Sequence, residues 1–182
     1  MSRSPKHAGA LCLLFTLTAA IASPGLAGES KRRDGIARVR VPGLSGVYVQ
    51  QAALGAARRL AGERCRTLLS EYTSEADGRP LTAGLEARGV TLEQHLRFIS
   101  FEDGSEDQAC RGGGAFAGMH RSGDDRVYVC SSRFRDLARS NPVNAEVIVI
   151  HEMLHTLGLG ENPPTSLEIT ARVFRRCVDS RD

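Results

Sequence analysis

Residues 147–161 read VIVIHEMLHTLGLGE, and this stretch decides how the rest of the chain is understood. Within an apolar helical run it carries His151-Glu152-Met153-Leu154-His155, an HExxH pair. Side chains four apart on an α-helix lie one above the other on the same face. His151 and His155 can therefore aim imidazole nitrogens at one metal ion, so one rigid turn of backbone supplies two bonds of a tetrahedral zinc site. Glu152 stands beside them, placed to hold a water and take its proton. Val147, Ile150, Leu154 and Leu157 recur at three- and four-residue steps and predict a core-facing stripe, with the histidines on a different face next to Ile148. Two neutral imidazoles and a carboxylate in apolar surroundings are costly unless something binds them. The plain alternative is a buried helix whose histidines are satisfied by hydrogen bonds.

A third ligand is needed. Gly158 follows the last periodic residues, and a glycine just past a helix can take the left-handed conformation and turn the chain back. Glu161 would then return towards the two histidines, and a carboxylate oxygen is an acceptable zinc ligand. Over these eleven residues the chain resembles the zincin metallopeptidases, and among them the metzincin pattern HExxHxxGxxH. Glu161 stands where that family has His or Asp. No methionine follows Met153, so the family's methionine turn has no counterpart, and only 21 residues follow Glu161. The competing third ligand is Glu168, which would match the other zincin plan, a glutamate on a second helix. Ser166 is the expected cap of that helix through LEITARVFRRCV, with Thr170, Val173, Phe174 and Cys177 as its apolar stripe. Glu168 falls with Arg172, Arg175 and Asp179 on the charged side, where it could instead support Arg172 at i+4. The glycine turn favours Glu161.

At the start of the chain, Arg3 and Lys6 precede ALCLLFTLTAAIA and then Ser23-Pro24-Gly25-Leu26-Ala27. A charged region, a short apolar run and a small-residue cleavage site predict a signal peptide over residues 1–27. The apolar run is too short for a membrane span. Its removal takes two of the 24 basic residues and none of the 21 acidic ones, leaving a net charge of +1. That balance offers no electrostatic reason for a nucleic-acid or membrane-surface partner. The expected product is secreted or periplasmic, without a membrane anchor. Four cysteines remain, Cys65, Cys110, Cys130 and Cys177, and an even count in an exported chain predicts two disulfides among three possible connectivities. The preferred pairing is Cys65 with Cys110 and Cys130 with Cys177.

Residues 28–46 begin with the charged tail GESKRRDG and are expected to be flexible, with IARVRV extended or a short strand. From Val47 a long helix is expected, with Leu54, Ala57, Ala61, Cys65, Leu68 and Tyr72 inward; Gly55 and Gly62 either weaken it or admit a close neighbour. Leu81 to Arg88, closed by Gly89, and Thr91 to Leu96 read as short helices, and RFISF as a strand ended by Asp103-Gly104. His95 is assigned to packing or the surface. The glycines after Cys110 read as a turn, and RVYVC alternates as a strand. SSRFRDLARS reads as a helical connector. Asn141 and Pro142 are the expected N-cap and first residue of the metal helix.

The resemblance implies an α+β, zincin-like fold: a small mixed sheet backed by a long helix, an HExxH active-site helix and a short C-terminal helix, in one domain over residues 47–182. It also implies that RVYVC is the sheet edge along which a peptide substrate lies, with His120 and Tyr128 as candidate oxyanion stabilisers. The expected activity is zinc metalloendopeptidase, with one zinc ion on His151, His155 and Glu161 and with Glu152 as general base. The alternatives are a non-catalytic zinc-binding envelope module on the same scaffold and a disulfide-stapled structural protein with an accidental motif.

Overall fold

The structure, a computed structural model, describes residues 37–112, 116–118 and 123–179. The expected signal peptide lies outside them. The fold is mixed α+β. A four-stranded sheet has the order β1-β2-β4-β3, from β1 (Arg38–Arg40), β2 (Ser100–Asp103), β3 (Ala117–Gly118) and β4 (Arg126–Val129). The β1–β2 and β2–β4 pairs are parallel, with Phe101 opposite both Val39 and Val127, while β3 runs antiparallel to β4. Side chains alternate across a strand. Phe101, Val127 and Val129 accordingly point into the core, while Glu102 and Tyr128 share the other face.

One expectation about the sheet changes. β4 is not the edge, because β3 covers it at Tyr128 and Val129 and becomes the antiparallel edge itself. Of IARVRV, Arg38–Arg40 form the short strand and pair with β2, with Ala37 and Val41 buried in the core, while residues 28–36 lie outside the described residues.

Helix α1 (Gly43–Leu60) begins four residues before the expected Val47 and ends at the Gly62 break, after which α2 (Glu63–Arg66) and a 3-10 turn (Thr67–Glu71) continue. Its core face is Val49, Ala52, Ala53, Ala56 and Leu60, whereas Leu54 is exposed and Ala57 only half-buried. Within α1 the buried face is therefore rotated from the expected one, whereas Cys65, Leu68 and Tyr72 beyond it are buried as expected. Both registers satisfy a three-four rhythm, but the alanine face lets α1 lie close against α6 (Ser131–Ser140) and α7 (Pro142–Thr156). Gly55 belongs to that contact, since a methyl group there would overlap the Glu146 carboxylate. Glu146 in turn accepts from Arg59 Nε at 2.5 Å, and Arg59 Nη1 donates to the Cys177 carbonyl, tying α1, α7 and α8 (Ser166–Cys177) together.

The short elements follow their local chemistry. α3 (Thr82–Arg88) closes at Gly89 with φ +62°, and α4 (Leu92–His95) starts at Thr91, whose side chain forms a reciprocal capping box with Gln94. α5 (Gln108–Arg111) is capped by Asp107. The disulfides join Cys65 to Cys177 and Cys110 to Cys130, which corrects the expected pairing. Cysteine count and spacing carry no information on which thiols meet. Here α2 packs on α8, and the end of β4 lies beside α5, giving Cα separations of 4.6 and 5.2 Å.

His95 is fully buried rather than at the surface. The Thr156 hydroxyl donates to the Met153 carbonyl, so it accepts from His95 Nε2–H at 2.8 Å, and Nδ1 is left without a partner among the described residues. Burial pushes the imidazole pKa down to about 4, with the Arg88 charge adding to the fall. The folded pKa lies below the ordinary 6.5, so the neutral form is favoured in the fold, and the contribution is present above pH 6.5 and lost as pH falls towards 4. At most this amounts to about 3 kcal/mol. Urea denaturation at pH 7 and pH 4.5 should show a smaller acid-induced loss for His95→Gln than for the wild type. Equal losses would show that His95 does not titrate this way.

Candidate metal centre

The metal helix is assembled as its sequence dictates. The Asn141 side chain accepts from the Asn144 N–H at 3.1 Å, Pro142 opens α7, and from Val147 to Leu157 every residue except Ile148 is buried. His151 and His155 stack one turn apart with ring centroids 4.9 Å apart and their Nε2 atoms 3.0 Å apart.

A glycine turn then reverses the chain. Leu157 and Leu159 N–H both donate to the Leu154 carbonyl, and Gly158 N–H to that of His155. Gly158 has φ +101°, a conformation that side chains with a Cβ rarely adopt. The Glu75 N–H donates to the Gly158 carbonyl at 2.8 Å, so the loop carrying Ser74 and Glu75 fixes the turn from outside. The turn delivers Glu161, with Oε1 3.5 Å from His151 Nε2 and 3.3 Å from His155 Nε2. In Gly158→Ala the new methyl would stand 3.2 Å from Ser74 Cβ as well as in a strained backbone. Its expected cost is about 1–3 kcal/mol in thermal or chemical unfolding, together with weaker metal binding as Glu161 is displaced. Unchanged stability would show that the turn tolerates a side chain.

The ring orientations suit a metal. A carbonyl can only accept, so the 2.6 Å contact of His155 Nδ1 with the Leu159 carbonyl places the proton on Nδ1 and the lone pair on Nε2. His151 Nδ1 meets the Thr170 hydroxyl at 2.9 Å, which likewise turns its Nε2 towards the common point. Ligand atoms of His151, His155 and Glu161 lie within 4.8 Å of one another, and this group could hold a metal ion. Two imidazole nitrogens and one carboxylate oxygen are a donor set that divalent metals accept.

Glu168, the alternative third ligand, is not in this group. It is exposed, and its carboxylate accepts from the Thr165 N–H and hydroxyl in a capping box that opens α8. The cap is thus Thr165 and not Ser166. The Ser166 side chain is the last of the influences that hold the Glu161 carboxyl below its ordinary range. The sequence does not mark Thr170 as a site residue. Thr170 reads as part of an apolar stripe, and no spacing rule reports that its hydroxyl meets a histidine from another helix.

Electrostatically the group is divided. Glu152 is buried, with Oε2 lacking a hydrogen-bond partner among the described residues. Burial pushes its pKa up to about 7, opposed by His151 and aided by the Glu161 charge. A carboxyl so poised is suited to taking and returning a proton at neutral pH. Burial also lowers the pKa of His155, favouring the neutral imidazole that a metal requires, and the adjacent His151 imidazole heads the causes that hold Glu161 below the ordinary carboxylate range. Tyr128 is half-buried on β4, on the face opposite Val127 and Val129, while His120 lies outside the described residues.

No family model, characterised protein or solved structure significantly matches the chain.

Proposed function

We propose that the chain is an exported zinc-dependent metallopeptidase. The observation that carries this is the convergence of His151 Nε2, His155 Nε2 and the Glu161 carboxylate beside a buried Glu152 oxygen that has no hydrogen-bond partner among the described residues. A site built only to hold a metal has no use for an uncompensated carboxylate next to its ligands, because an unpaired buried polar group costs stability. A zinc ion held by these three groups would polarise a scissile carbonyl and acidify water at neutral pH. His151 and His155 present their lone pairs through fixed rings, and Glu161 adds one negative charge. Glu152 Oε2 takes the proton of the attacking water and delivers it to the leaving amine.

An extended peptide would add itself to the edge strand β3, gaining main-chain hydrogen bonds with little side-chain selectivity. Export accords with the signal-like residues 1–27 and with two disulfides, which persist in oxidising compartments. No helix among the described residues is long and apolar enough to cross a membrane. The test is hydrolysis of an unfolded protein substrate by purified chain, abolished by a chelator and restored by added zinc. A zinc-loaded chain that hydrolyses no peptide bond would leave the non-catalytic zinc-binding module as the better account.

A further inference from the structure

Helix α8 does more than cover the metal helix. Its N-terminal turn is closed by Thr165 and Glu168, each side chain bonding the other's backbone N–H. That leaves the Thr170 hydroxyl, one turn further along, outside the cap. It meets His151 Nδ1 at 2.9 Å. A helical threonine commonly turns its hydroxyl back on its own helix, three or four residues upstream. Thr170 instead reaches across to α7, and has no other hydrogen-bond partner among the described residues.

We propose that Thr170 is a positioning residue that sets the metal affinity and ligand geometry of the site by holding the His151 ring. The inference rests on the metal reading given above and extends it from the ligands to their supports. A hydrogen bond to the far nitrogen of a ligating histidine fixes its tautomer and orientation. His155 has such a support from a main-chain carbonyl, which substitution cannot remove, whereas His151 depends on one side-chain hydroxyl. The other end of α8 is anchored independently. The Cys65–Cys177 disulfide, the Arg59 and Arg64 guanidiniums on the carbonyls of Cys177 and Asp179, and ion pairs from Arg172 and Arg176 to Glu71 hold it in place. The Thr170 hydroxyl is therefore presented from a fixed platform. Removing it leaves the platform standing and frees the His151 ring to rotate.

The test is zinc affinity, measured by competition against a chromophoric chelator, for wild type, Thr170→Val, Thr170→Ala and Thr170→Ser. The electronic spectrum of the cobalt(II)-substituted chains serves as a second readout of ligand geometry. Thr170→Val and Thr170→Ala should each weaken zinc binding by about 10–100-fold and alter the cobalt spectrum, while Thr170→Ser, which keeps the hydroxyl, stays within about threefold of wild type. Melting temperatures of the metal-free chains should agree within about 4 °C, the shift that roughly 1 kcal/mol would produce at this size. Wild-type affinity and spectrum in Thr170→Val or Thr170→Ala would overturn the proposal. So would an equal loss in Thr170→Ser and Thr170→Val, which would assign the effect to packing of the methyl group. Should Thr170→Val fail to fold, Thr170→Ala and Thr170→Ser still decide between these outcomes. A wild-type chain that takes up no zinc removes the metal reading, and this inference with it.

Discussion

Glu152→Gln is expected to lower peptide hydrolysis by about 10²–10⁴-fold, the usual worth of a general base, while the chain keeps its zinc. The amide nearly matches the carboxylate in shape, so the buried helix face around it is preserved, but it cannot accept a proton. Glu152 is not among the three groups whose ligand atoms converge, and its Oε2 has no hydrogen-bond partner to lose among the described residues. The split between activity and metal content is therefore the diagnostic result. Parallel loss of zinc would mean that Glu152 supports the ligand set, and undiminished hydrolysis would remove it from the mechanism. Paired assays of zinc content and turnover on one preparation distinguish the two.

Removing the Cys65–Cys177 disulfide is expected to have the largest effect on stability. It closes a loop spanning 112 residues, against 20 for Cys110–Cys130. In chain-entropy terms the longer loop corresponds to about 4.7 kcal/mol and the shorter to about 3 kcal/mol. The first loss should lower the melting temperature by roughly 10–18 °C in a chain of this size. Both cysteines are buried in the core, so Cys65→Ala/Cys177→Ala also leaves a small void and cannot gain by solvation. Because this bridge anchors α8, zinc affinity should fall along with stability, whereas Cys110→Ala/Cys130→Ala should leave the metal ligands undisturbed. Calorimetry on the two double variants checks the order. A larger loss for the shorter loop would contradict the account.

The metal helix was legible because each of its signals is local. Asn141 caps it, Pro142 opens it, and the four-residue spacing of His151 and His155 sets their common face. Gly158 turns the chain within six residues of the last turn, so Glu161 too could be located from its neighbours. What escaped depends on contacts between distant segments. Two helical registers of α1 fit the same rhythm, and only the approach of α7 at Gly55 selects the alanine face. Disulfide partners are decided by where α2 and α8 meet. The sheet edge was misplaced because β3 has two residues, too few to show any alternation. Thr170 reads as an apolar position, since a hydroxyl looks the same in sequence whether it bonds its own helix or a ligand on another.

The central claim is that two imidazoles and the Glu161 carboxylate bind one metal ion. Zinc content of the purified chain, by inductively coupled plasma mass spectrometry after dialysis, tests it most directly across wild type, His155→Ala, Glu161→Ala and Glu168→Ala. The account predicts one zinc per chain in wild type and Glu168→Ala, and loss in His155→Ala and Glu161→Ala. Zinc retained in Glu161→Ala and lost in Glu168→Ala, or absent from the wild type, would contradict it.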